Sequence, residues 1–259
     1  MNIPPRPDLP PPPPEPSEEG GSDRLLRATW KWYVAIGIYL LGTFVAGFFI
    51  AFGSESELAS DEGFFVVAFL GQLVPTGILI FWLQMRHRDW TRAMGVVGAR
   101  LRDILYGVVS GVIIYLAGAF GIAIVLSVLY ALFTGRELVT PDQIPVELSG
   151  VRILLAILMA VVLAPLVEEF FFRGLLFRGM RASGRFWPSA LGSAAFFGFA
   201  HYSLEPDVDA FGRLFLVIMM FFVGAAFAWI YERRGSLWVP VVAHMTFNTI
   251  GLSLIAAAG

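Results

Sequence analysis

The chain has 259 residues, 57% of them hydrophobic, with a formal net charge of −2 and no cysteine. An apolar share above the roughly 45–50% of soluble domains points to lipid. The missing cysteine excludes a disulfide framework, a thiol nucleophile and a thiolate metal site; the net charge says little, because the charges are segregated by side, and no nucleic-acid partner is expected.

Residues 1–29 differ from the rest, with nine prolines between Pro4 and Pro16 followed by Ser, Glu and Gly. So little apolar surface cannot pack, and a disordered cytoplasmic tail is expected, a spacer rather than a polyproline ligand. It does not read as a signal peptide, because the first apolar span starts only near Tyr33. Apolar stretches then follow at Tyr33–Phe52, Phe64–Leu83, Ile104–Phe133, Val151–Val167, Leu214–Ile230 and Leu237–Ala258. Most reach the ~17–25 residues that cross a hydrocarbon core. Trp187–Ala200 is short, but a seventh crossing there is needed for the Arg-rich segments to share one compartment. The predicted fold is therefore all-α, a polytopic transmembrane bundle of about seven spans, with residues 30–149 forming an N-terminal three-helix part and 150–259 a second membrane domain.

Alternating loops sort the charges. Fifteen of the 18 Lys and Arg fall on one side, leaving Arg136, Arg152 and Arg213 on the other, while the loop after the first span is acidic, with Glu55, Glu57, Asp61 and Glu62. Since cytoplasmic loops hold the basic excess, the N-terminus is expected inside and the C-terminus outside, with attraction to anionic headgroups sufficient to explain the arginines. Trp30, Trp32, Trp82, Trp187 and Trp238 lie near span ends, as interfacial anchors do. Gly107 and Gly111 form a small-xxx-small pair that lets helices approach.

Ionisable groups inside a bilayer cost about 2.5–3.5 kcal/mol each on insertion scales, so those that remain are functional candidates. Within the spans the strongly polar side chains are Gln72, Glu168, Glu169 with Arg173, His201, His244 and Asn248. Gln72 reads as an interhelical hydrogen bonder and His87 as a solvated loop residue. Glu169 and Arg173 are four apart on one helical face and can pair, which leaves Glu168, about 100° round the helix, free. A free carboxylate among three phenylalanines is equipped for general acid or base work. Interfacial pairing of both glutamates with arginines is the competing account. Phe197 shares a face with His201, and His244 with Asn248; a lone His in a span is more often a packing residue, but two joined by an Asn are harder to dismiss.

The three clusters, Glu168-Glu169-x-x-x-Arg173, Phe197-x-x-x-His201 and His244-x-x-x-Asn248, resemble the motif set of the CAAX-protease and bacteriocin-processing family of intramembrane endopeptidases, which includes the type 2 CAAX prenyl protease. Arg173-Gly174 and the run Gly235-Ser236-Leu237-Trp238-Val239-Pro240 also look like the family, and the resemblance covers about residues 150–256. It implies that Glu168 activates a water, His201 helps hold it, and His244 with Asn248 stabilises the oxyanion, with Glu169, Arg173 and Phe197 in support. The expected substrate is a peptide or membrane-anchored protein, cut near the cytoplasmic face, most simply of the cell membrane. Prenylated CAAX tails are not carried over from the family name.

No cofactor or metal is expected; zinc held by Glu168, His201 and His244, with a bound water as nucleophile, is the alternative. A non-catalytic member, acting as a membrane scaffold or bacteriocin-immunity protein, is the rival function. Helix lengths raise a difficulty, because His201 lies thirteen residues past Pro188, ~20 Å, and His244 only six past Trp238, ~9 Å. Extending the fourth helix towards Phe177 and starting the fifth later would bring the motifs level.

Overall fold

The computed structural model describes residues 25–52, 60–96, 98–140, 150–203 and 208–258, so most of the Pro-rich tail and the Glu55–Glu57 loop lie outside the described residues. Seven principal helices follow one another: α1 (Trp32–Ile50), α2 (Asp61–Arg86), α3 (Leu101–Thr134), α4 (Val151–Arg181), α5 (Phe186–Ala200), α6 (Ala210–Arg234) and α7 (Trp238–Ala258). The described residues hold no strand. Their ends carry familiar signals: the Ser60 hydroxyl accepts from Gly63 N–H at the start of α2, Asp209 accepts from Gly212 N–H at the start of α6, and Gly135 and Gly235, both at positive φ, close α3 and α6.

Six of these helices, all but α5, are long and apolar enough to cross a membrane. Their large side chains face outwards, with Phe44, Phe52, Leu132 and Phe133 each more than 70% exposed, the inverse of a soluble domain and suited to lipid tails. The protein is an integral membrane protein. The stretch expected as a seventh span forms α5, whose 15 residues reach ~22 Å at 1.5 Å each, short of a ~30 Å hydrocarbon core. It begins at Phe186 rather than later. It is packed hard on α6 instead, where a Cβ at Gly198 would stand 2.6 Å from the Val217 carbonyl oxygen.

Glycines set two more close pairings. A Cβ at Gly42 would lie 2.5 Å from Pro75 Cα, which joins α1 to α2, and Cβ atoms at Gly107 and Gly111 would run into Val242 and Thr246, which joins α3 to α7. Gly111→Leu is accordingly expected to cost at least ~1–3 kcal/mol by overpacking, read as a lowered melting temperature in detergent. Gly37→Ala, at a position with nothing within 4 Å, serves as the near-neutral control.

The core surrounds the second half of α4, where every residue from Phe170 to Phe177 is buried. This helix is not uniformly α: Ile157–Leu163 and Phe170–Phe177 are wound as π-helix, with five-residue hydrogen bonds. Side chains from elsewhere reach carbonyls of the second π segment. Ser193 Oγ donates to Phe172 O at 2.8 Å and Trp30 Nε1 to Leu175 O at 2.9 Å.

The N-terminal segment is thereby fastened to α4. Arg27 donates to Ala182 O, Arg178 reaches Leu26 O and Ala93 O, and Ala28 is buried. Trp30, expected as an interfacial anchor, is 3% exposed and belongs to the core. His87 also departs from its expected solvated loop setting. Its Nδ1 meets the Thr29 hydroxyl at 2.8 Å and its ring stands edge-on to Trp30 and Trp82, while burial and the neighbouring Arg86 charge hold its pKa below the ordinary histidine value. Gln72 Oε1, expected to bridge helices, is buried without a hydrogen-bond partner.

Candidate active site

Glu168 and Glu169 stand on the single α-helical turn between the two π segments, just after Pro165. Glu169 points into the core and is fully buried, with Oε1 at 2.9 Å from both Arg173 Nη1 and His244 Nδ1. A carboxylate only accepts, so the His244 Nδ1 carries a proton and Nε2 is left for the opposite side of the ring. The i,i+4 pairing read from the sequence is present, and His244 joins it as a third member.

Arg173 is also fully buried. Its guanidinium lies 4.4 Å from the centre of the Phe197 ring and 5.2 Å from that of Phe227, and Nη2 donates to Gly224 O at 3.0 Å. Delocalised charge between aromatic faces is a geometry that arginine suits and lysine does not. Gly224 permits it, since a Cβ there would be 3.0 Å from Phe197. Neither Gly224 nor Phe227, whose ring lies 5.0 Å from that of His244, carries a sequence signal beyond glycine and phenylalanine in an apolar span. Both escape a search for polar groups.

Glu168 faces the other way. With His201, His244 and Asn248 it lines a cavity of about 290 Å³, walled otherwise by apolar residues such as Met220, Val223 and Phe247. Its Oε2 is buried and has no hydrogen-bond partner, an expensive condition for a carboxylate oxygen unless a water or substrate meets it there. His201 sits one residue beyond the end of α5, with Nδ1 at 2.8 Å from Phe197 O. A carbonyl only accepts, so this ring too is protonated on Nδ1.

Asn248 is partly committed. In the first π segment Ala164 N–H reaches back five residues to Met159 O, and the next donor in that register would be the N–H that Pro165 lacks. Asn248 Nδ2 supplies it, donating to Ala160 O at 2.6 Å. One amide proton thus holds α4 to α7, and the other remains.

The alternative zinc ligands Glu168, His201 and His244 share the cavity wall, yet no three His, Asp or Glu side chains among the described residues are grouped so as to hold a metal ion. Ser193 is spent on Phe172 O.

The heights of the two histidines are reconciled by the start of α7. It begins inside the protein, beneath the 87–96 loop: Leu237 N–H donates to Gly95 O, Trp238 Nε1 to Val96 O and Tyr231 OH to Met94 O. The fourth helix extends past Phe177, to Arg181. With α7 starting deep and α5 ending at His201, a short and a long run of helix reach the same level.

Residues 150–250 match the family described as type II CAAX prenyl endopeptidase, Rce1-like. Among curated proteins, the "Putative membrane peptidase YdiL" of Bacillus subtilis (strain 168) is 30% identical over 120 residues, which are 46% of this chain and 44% of that protein. The match therefore spans less than half the length of that relative. No solved structure matches the chain.

Proposed function

We propose that this chain, whose residues 150–250 match the Rce1-like family, is a membrane endopeptidase that hydrolyses peptide bonds inside the membrane with Glu168 as general base. The observation that carries this reading is the meeting of Glu168, His201, His244 and Asn248, from three helices, around one cavity, with no hydrogen-bond partner at Glu168 Oε2. Amide hydrolysis needs a base on water and donors where negative charge develops.

Glu168 takes a proton from the water as its oxygen bonds to the scissile carbonyl carbon, and His201 Nε2 accepts the water's other hydrogen and fixes its position. The carbonyl oxygen becomes an oxyanion, which accepts from His244 Nε2 and from the remaining amide proton of Asn248. Collapse breaks the C–N bond, and the departing amine takes the proton held by Glu168.

For His244 to donate through Nε2 both ring nitrogens must be protonated, because Nδ1 is already bonded to Glu169. Glu168, Glu169, Arg173 and His244 then carry two negative and two positive charges. A balanced cluster is what a low-dielectric site tolerates. Glu169 and Arg173 accordingly act as positioning residues that hold the imidazolium.

The substrate class is a peptide or membrane-anchored protein, met in a cavity whose lining extends along α7 to Leu252 and Ile255, away from the Arg-rich end taken as cytoplasmic. The reading routes no step through a metal. Cleavage of a membrane peptide mixture is expected to survive a chelator at millimolar concentration; loss that added zinc restores would replace this mechanism with a zinc-bound water. A membrane-peptide profile identical between cells carrying the wild type and Glu168→Ala would instead favour the scaffold role.

A further inference from the structure

A second built feature lies away from the site, between α3 and α6. The two helices run antiparallel and are tied at both ends: Tyr130 OH donates to Asp209 at one end and Arg234 pairs with Asp103 at 3.2 Å at the other. Between the ties they touch at Gly118, where a Cβ would stand 3.3 Å from Val223 Cγ2, and an apolar crevice opens beside that contact. This crevice, of about 590 Å³, runs from Tyr106 and Trp229 to Ile122, with Gly118 and Ala226 on its walls, and a second of about 320 Å³ continues it towards Phe211.

From Tyr106 to Ile122 the crevice follows ~24 Å of α3 at about 1.5 Å per residue. That length exceeds the ~15 Å of one leaflet. At the Tyr106 end the mouth is cationic. Arg233 is exposed with its guanidinium 5.2 Å from the Trp229 ring, Arg234 stacks on Tyr106 at 4.9 Å, and Arg234 Nε is buried without a partner. Arg234 is already paired with Asp103, so the free positive charge at the mouth is that of Arg233.

We propose that this crevice binds one anionic phospholipid, an acyl chain lying along α3 and α6 and the phosphate meeting Arg233. The apolar lining and the cationic mouth select that occupant over a zwitterionic lipid, whose ammonium offsets the phosphate charge that Arg233 would meet. This site is independent of the proposed peptidase chemistry.

The test reconstitutes the full chain with phosphatidylglycerol or phosphatidylcholine, returns it to mild detergent, and counts retained lipids by native mass spectrometry. Wild type is expected to keep one phosphatidylglycerol in preference to phosphatidylcholine. Arg233→Gln is expected to reduce that preference about fivefold, equivalent to ~1 kcal/mol for one basic side chain at an anionic surface, with Arg233→Lys restoring most of it. Ala226→Phe, which fills the crevice, is expected to abolish retention of both lipids. Equal retention of the two lipids by wild type, unchanged retention in Ala226→Phe, or displacement of phosphatidylglycerol by inorganic phosphate alone would each overturn the proposal.

Discussion

Replacing Glu168 by glutamine is expected to lower peptide cleavage by ~10²–10⁴, the range for loss of a positioned general base, with membrane insertion and melting temperature unchanged. Activity and stability separate here because Oε2 has no partner to lose, and glutamine keeps the volume. The measurement is paired: substrate turnover in liposomes, and thermal unfolding of the same preparation. An unaltered rate would remove Glu168 from the chemistry and with it the reading of the cavity. A large fall in melting temperature would instead show that the carboxylate is structural.

Arg173→Ala is expected to do the opposite, destabilising the protein by ~3–5 kcal/mol before any question of catalysis arises, because it takes the guanidinium from the fully buried Glu169 carboxylate and leaves that group only His244. It also removes the charge clasped between Phe197 and Phe227 and frees Gly224 O. Arg173→Lys keeps a charge but cannot span Glu169, the rings and Gly224 O together, so recovery should be partial. The double variant Glu169→Ala with Arg173→Ala should be less destabilised than the two single losses added, the sign expected of a coupled pair. Additive losses would mean that the buried carboxylate and guanidinium stabilise the fold independently.

Much of this was legible in the sequence, and the reasons are specific. Long apolar runs located the helices, since only lipid rewards such stretches, and i,i+4 spacing was enough to pair Glu169 with Arg173 and leave Glu168 apart. Spacing along one helix says nothing about a neighbour, which is why His244 was assigned to the cavity but not to Glu169. Trp30 illustrates the same limit: a tryptophan before a span reads as an anchor, and only the π segment of α4, which its flanking sequence does not announce, supplies the carbonyl that draws it inwards. The depth at which α7 begins was hidden for a related reason, because it depends on the 87–96 loop folding over Leu237 and Trp238.

The bond from Trp30 to Leu175 also bears on how the molecule can be assembled and dissected. A ribosome releases Trp30 about 145 residues before its acceptor exists, so the indole must wait until α4 has been delivered into the bilayer. A fragment beginning at residue 150, though it holds every proposed catalytic side chain, would lack the donors that Trp30 and Arg27 bring to Leu175 and Ala182. Cut there, the chain keeps its reactive groups and loses the fastening that keeps their helix in shape.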